Sequence, residues 1–142
     1  INYLKLMKKI RGYMFSRSFM EERVPQHIQN QIIRNYCVQN NYQYLLSAVE
    51  YSISNSNLIL NQIFNETKNL DGIGFYSLFQ LPENDKQRNK FLKKIIKKKK
   101  FVFFCVENLI LSSPKDLERI ETIWLIKKVL PKCLKIKEFK SI

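Results

Sequence analysis

The alternation of short apolar runs with helix-like stretches constrains this chain most. Residues 8–15, 42–51, 73–78 and 101–106 are apolar and rich in aromatic or β-branched side chains, as strands require. Each is followed by a segment of helical periodicity: residues 25–40, 58–68, 84–100 and 113–131. A β-α-β-α-β-α-β-α order implies a mostly parallel sheet with helices on both faces, a three-layer α/β/α architecture. Right-handed crossovers put the carboxyl ends of the strands on one edge. The predicted strand order is 2-1-3-4, with the switch point between strands 1 and 3. With 142 residues, 45% of them hydrophobic, the chain can bury one core, and 3 Gly and 4 Pro are too few for a many-turned all-β design.

Local signals set the boundaries. Pro25 suits the first turn of the first helix, whose apolar face is expected to carry Val24, Ile28, Ile32, Tyr36 and Cys37. Ser54-Asn55-Ser56-Asn57 is expected to cap the second helix, and Ser113-Pro114 to open the last, with Trp124 in the core. The organisation read from this is an N-terminal extension at 1–7, with Met7 a candidate start, one domain at 8–131, and a basic, mobile tail at 132–142.

The net charge is +13. Such a balance suits a polyanion partner. A solvated Lys-rich surface is the stronger explanation, and the run at Lys97–Lys100 complements the carboxyl end of its helix. Cys37, Cys105 and Cys133 are far apart in sequence and His27 is the single histidine, so neither a zinc site nor a disulfide framework is indicated. No apolar run approaches the ~20 residues of a membrane span. The expectation is a cytoplasmic protein without metal or cofactor.

Four loops should meet at the strand-end edge. They bring Ser16, Arg17, Ser18 and Arg23; Glu50 and Tyr51; Ser77, Gln80 and Glu83; Glu107 and Asn108; the first turn after strand 1 adds Gln26, His27 and Asn30. This mixture of charged and amide groups fits a small polar ligand. Arg17 and Arg23 near a helix N-terminus could hold an anion, with Gln26, Asn30, Glu50, Tyr51, Ser77 and Gln80 around it. Ser16 with His27 is the candidate nucleophile–base pair. No GxxxxGK[ST] or GxGxxG motif occurs.

The segment GYMFSRS, the helix QHIQNQIIRNYC and the strand segment DGIGFYSLFQLP resemble, in the same order, the N-terminal catalytic domain of serine recombinases, the resolvase/invertase group. The resemblance spans residues 8–110 and implies a resolvase-like sheet with a small antiparallel edge strand, order 2-1-3-4-5. It also implies DNA as a partner, but its chemistry is missing. Phe15 and Arg17 fall where that family's motif has Arg and Ser, and Phe79, Gln80 and Glu83 where it has Asp, Arg and Arg. Neither the long dimerising helix nor the helix-turn-helix domain is expected. A more specific resemblance, over residues 11–17, 22–30, 44–51 and 71–82, is to the sporadic carbohydrate cluster proteins. It implies a role in bacterial surface-polysaccharide metabolism and a sugar or nucleotide sugar as ligand. The rival expectations are a DNA-binding recombinase homologue and a non-catalytic homodimer.

Overall fold

The computed structural model describes residues 7–140 except Ser54, and of Thr67 and residues 132–140 the backbone alone. The expected extension at 1–7 lies outside them save for Met7. The described residues form six strands and four α-helices. They are β1 (Lys9–Phe15), α1 (Gln26–Gln39), β2 (Gln43–Tyr44), β3 (Ala48–Glu50), α2 (Leu58–Asn65), β4 (Gly72–Phe75), α3 (Asp85–Lys97), β5 (Phe101–Phe104), β6 (Leu109–Leu111) and α4 (Pro114–Lys140). β1 pairs in parallel with β2 and β3 on one side and with β4 on the other. β5 extends the sheet in parallel and β6 closes it antiparallel. The order 2-1-3-4-5 is therefore present, with strand 2 in two pieces.

That break has a register cause. β2 pairs Ile10 with Tyr44, but β3 pairs Tyr13 with Ala48. Three residues, 45–47, thus lie opposite two, Arg11 and Gly12, which makes a one-residue bulge. Leu46 sits on it and is 85% exposed.

The sheet is covered unequally. Among the described residues, α1 alone packs on one face, over Ile10, Met14, Phe101 and Phe103. Gly12 and Gly74 leave room on this face, since a Cβ at Gly12 would run into the Tyr44 ring and one at Gly74 into Phe103 and into Ile33 of α1. The buried stripe of α1 is Gln29, Ile33 and Cys37, one step round from the expected Ile28–Ile32 face. The other face carries Tyr13, Phe15, Ile73, Phe75, Val102 and Phe104, covered by Leu60 and Ile63 of α2, Phe91 and Leu92 of α3, and Ile120 and Trp124 of α4.

α4 departs most from expectation. It does not stop at Pro131 but runs 27 residues to Lys140, so the chain does have a long terminal helix. Asp116 starts it: its carboxylate accepts from the backbone N–H groups of Ser112 and Ser113 at 3.0 Å each. Burial alone would raise the Asp116 pKa, but these bonds outweigh it and the carboxyl is lowered. Arg88, 1% exposed, joins α4 to α3: it donates to Glu121 at 2.7 Å and 3.1 Å and lies 4.3 Å over the Trp124 ring.

Candidate functional site

The polar groups at the strand-end edge fall into two sets. One set is buried and satisfies itself. Glu50, at the end of β3, is 2% exposed. Its Oε1 accepts from the Tyr13 hydroxyl (2.9 Å) and the Leu60 N–H (3.3 Å). Its Oε2 accepts from the N–H groups of Tyr51 (3.0 Å) and Ile59 (3.1 Å) and from the Ser56 hydroxyl (3.1 Å). Ile59 and Leu60 are the second and third residues of α2, whose cap residue Asn57 makes no side-chain bond to them. Glu50 is thus a remote cap, and it also complements the helix dipole. Burial and the Glu50 carboxylate both push the Tyr13 phenol up, so it stays protonated and donating.

Gln29 and Gln80, both fully buried, form the next part of this set. Gln29 grips the end of β1 like a strand partner. Its Oε1 accepts from the Phe15 N–H at 3.1 Å, and its Nε2 donates to the carbonyls of Phe15 and Val24 at 2.8 Å each. Gln80 donates to Gln29 Oε1 at 2.8 Å and accepts from the Ser77 N–H at 3.2 Å. Glu107 accepts from the Ser77 hydroxyl (2.9 Å) and the Leu78 N–H (2.8 Å), holding the 3-10 turn Leu78–Gln80. Glu50, Ser77 and Gln80 were expected to face a ligand; their hydrogen bonds go to the fold instead.

The second set lines an open cleft of about 520 Å³ at the carboxyl ends of β1 and β4. Arg17 and Ser18 contribute from the loop after β1, Asn55 and Asn57 from before α2, Glu83, Asn84 and Gln87 from the start of α3, and Lys128 from α4. Phe15, Phe19, Phe79, Leu81 and Pro82 supply its apolar lining. Arg17 is fixed in place: one guanidinium nitrogen donates to the carbonyls of Tyr51 (3.0 Å) and Ile53 (3.2 Å), and the group lies 4.0 Å over the Phe15 ring. Lys128 bonds Asp85 at 2.8 Å, and hydrogen bonds from Lys128 and Arg88 hold the Asp85 carboxyl below its usual pKa. Two further bonds from Arg88, to the carbonyls of Pro82 and Glu83 at 3.1 Å each, brace the cleft wall.

Of the residues expected in the site, Arg17, Ser18 and Glu83 reach the cleft. Ser16 lies just below; its hydroxyl makes one long bond, 3.4 Å, to the Glu50 carbonyl. His27 is exposed and sits two residues before Gln29, about 200° round the helix from the buried stripe. No hydrogen bond joins it to Ser16 among the described residues, so the pair is not assembled. Arg23 and Gln26 are exposed and outside the cleft lining, and Asn30 accepts from the Tyr44 hydroxyl at 2.7 Å. The Tyr51 ring is exposed, and its carbonyl is what holds Arg17. Burial pushes the Cys37 and Cys105 thiols up to about 12, away from nucleophilic character. No group of three potential metal ligands occurs among the described residues, and no described helix is long and apolar enough to cross a membrane.

Sequence reasoning missed Asn55, Asn57, Asn84, Gln87 and Lys128 as cleft residues. Asn55 and Asn57 are visible in the sequence only as part of a helix-cap signal, and Asn84 only as the first residue of the helical stretch 84–100. Lys128 carries no signal, because a solvated lysine on a helix looks the same wherever the helix packs.

No protein-family model and no curated protein sequence matches the chain. Solved structures do. The N-terminal catalytic domain of TP901-1 integrase superposes with a TM-score of 0.65 at 18% identity, covering 92% of this chain and 99% of that one. A resolvase family site-specific recombinase from Streptococcus pneumoniae gives 0.59 at 10% identity, covering 93% and 97%. The chain therefore has a resolvase-like fold.

Proposed function

We propose that this resolvase-fold chain does not exchange DNA strands and instead binds a small, anionic, hydroxyl-bearing ligand in the strand-end cleft. One observation carries the reading: the cleft offers Arg17, Lys128, four amide side chains and the Ser18 hydroxyl against a single carboxylate, Glu83. A guanidinium suits a phosphate or carboxylate, and amides suit hydroxyls because both donate and accept. A sugar phosphate or nucleotide sugar has this chemistry. The resemblance of residues 11–17, 22–30, 44–51 and 71–82 to the sporadic carbohydrate cluster proteins adds the setting, bacterial surface-polysaccharide metabolism in the cytoplasm. The working unit of this reading is the domain at 8–131.

Calorimetric titration with glucose 1-phosphate, uridine diphosphate glucose and inorganic phosphate tests it. Arg17→Ala is expected to weaken the bound ligand about tenfold or more, with Arg17→Lys in between, since Lys keeps the charge but loses the fork. Binding that is indifferent to Arg17, or no binding by any of the three, refutes the cleft.

Strand exchange is the second reading. The +13 charge and the fold shared with an integrase and a site-specific recombinase favour it. Against it, Arg17 is the one arginine lining the cleft, and Gln80 is buried in the amide network. Duplex DNA retarded at low salt and released by moderate salt would favour this reading. A third reading, homodimer formation, has its own observation. Leu125, Ile126, Val129 and Leu130 form a stripe on α4 that is 42–61% exposed. Sedimentation of wild type against Leu125→Lys/Val129→Lys tests that.

A further inference from the structure

The strand-end cleft opens beyond Asn57 into a groove of about 710 Å³ between α2 and α3, and the two share Asn55, Asn57, Pro82 and Gln87. On the α2 side stand Asn57, Asn61 and Asn65. Their spacing of four puts them on one helix face, about 6 Å apart along the axis. Opposite them, Lys90 and Lys94 of α3 repeat the same spacing. Leu60, Phe64 and Phe91 line the groove between the two rows, and none of its lining residues is a carboxylate.

We infer that this groove binds an acidic oligosaccharide whose end enters the strand-end cleft and meets Arg17. The inference rests on the small-ligand reading above and extends it to a chain-like ligand. Three features select this class. The asparagine row offers paired donors and acceptors at a regular repeat, which suits successive hydroxyls. The two lysines are point charges for carboxylates at a similar repeat. Exposed apolar surface comes from Ile53 and Leu58, 71% and 60% exposed, and suits the C–H face of a sugar. A single-stranded nucleic acid needs open aromatic faces on which bases stack. Here Phe64 is 9% exposed and Phe91 7%, they pack edge to face at 6.0 Å, and Lys94 and Lys98 lie over the Phe64 ring at 5.6 and 4.2 Å.

The test uses the full chain, fluorescence anisotropy, and three labelled probes of equal length: an oligogalacturonate, a neutral maltooligosaccharide and an oligothymidylate. Two doubly substituted variants carry the same change in net charge. Lys90→Glu/Lys94→Glu alters the groove. Lys9→Glu/Lys115→Glu alters exposed sites outside it, so it controls for net charge. The expected result is that oligogalacturonate binds, that the groove variant loses about tenfold or more, and that the control stays within about twofold. Glucose 1-phosphate binding through Arg17 should survive in the groove variant, which separates this inference from the reading beneath it. The inference is overturned if oligogalacturonate does not bind at low salt, if both variants lose equally, or if oligothymidylate binds more tightly through the same lysines.

Discussion

Replacing Glu50 should unfold the site's scaffold rather than remove a ligand contact. The carboxylate receives five hydrogen bonds, from Tyr13, Tyr51, Ser56, Ile59 and Leu60. In Glu50→Ala all five donors lose their acceptor, but not all suffer alike. Tyr51 is exposed and Ile59 half-buried, so water can reach their N–H groups. The Leu60 N–H and the Tyr13 hydroxyl belong to residues with no exposed surface. Each orphaned buried donor costs about 1–3 kcal/mol, and loss of a helix cap about 1 kcal/mol. The expected loss is therefore about 3–7 kcal/mol, against a total stability of about 5–15 kcal/mol for a domain of this kind. Glu50→Gln keeps the shape but turns an NH2 towards two or three donors whichever way the amide faces, so it should still cost about 2–4 kcal/mol. Urea unfolding followed by circular dichroism measures the total. Hydrogen exchange at the Ile59 and Leu60 amides localises it, and both should exchange faster in either variant. The Tyr13→Phe/Glu50→Gln double substitution should cost less than the sum of its parts, because the pair shares one bond. A Glu50→Gln variant within about 1 kcal/mol of wild type, with Leu60 exchange unchanged, would refute the capping role and return Glu50 to the ligand site.

Three other outcomes follow from the same geometry. Gln29→Leu should destabilise by about 2–4 kcal/mol in urea unfolding, because it strands the Phe15 N–H and the carbonyls of Phe15 and Val24. Glu21→Gly should stabilise by about 0.5–1 kcal/mol: Glu21 has φ 64° in the tight turn closed by Phe19 and Glu22, where glycine carries no Cβ penalty, and a loss instead would show a side-chain role for Glu21. The Asp85 link between α3 and Lys128 should fail in acid. Its carboxyl is lowered in the folded state, so its contribution is present above the ordinary value of 3.8 and is lost as pH falls through the lower folded value. Acid titration of wild type against Lys128→Met should show the difference between them vanish in that range.

The sheet was legible because burial on both faces writes itself as apolar runs. β1, β4 and β5 carry Tyr13, Phe75 and Phe103 with no exposed surface, and short apolar runs of this kind are how strands buried on both faces read. The bulge at 45–47 was not legible, since Leu45 and Leu46 look alike in a hydropathy pattern although one packs against the core and the other is 85% exposed. The α1 stripe was misplaced for a related reason. Gln29 counts as polar, so periodicity set the apolar face beside it, yet this side chain is fully buried because it completes the hydrogen bonds of β1. In α4, Pro131 reads as a stop, but a proline removes one backbone donor and the helix continues past it.

The strand-end edge was legible as a place where polar groups gather, but not which of them face the cleft, and the reason lies in how strand ends are built. Every helix that follows a strand here starts with unpaired N–H groups, and the polar side chains at the same edge are their nearest acceptors. A carboxylate there can serve a ligand or a helix, and its sequence context does not distinguish the two. Remaining hydrogen-bond capacity does. A carboxylate has about four lone-pair sites, and five donors already converge on Glu50. Gln29 and Gln80 are bound to the main chain and to one another. Arg17 differs: its two bonds to the carbonyls of Tyr51 and Ile53 come from the same nitrogen. A guanidinium has five donors on three nitrogens, so the rest of the group can meet an anion while those carbonyls and the Phe15 ring hold it at the cleft wall. The predicted contrast between the two residues follows directly: substitution at Glu50 should appear first in stability, and substitution at Arg17 first in affinity.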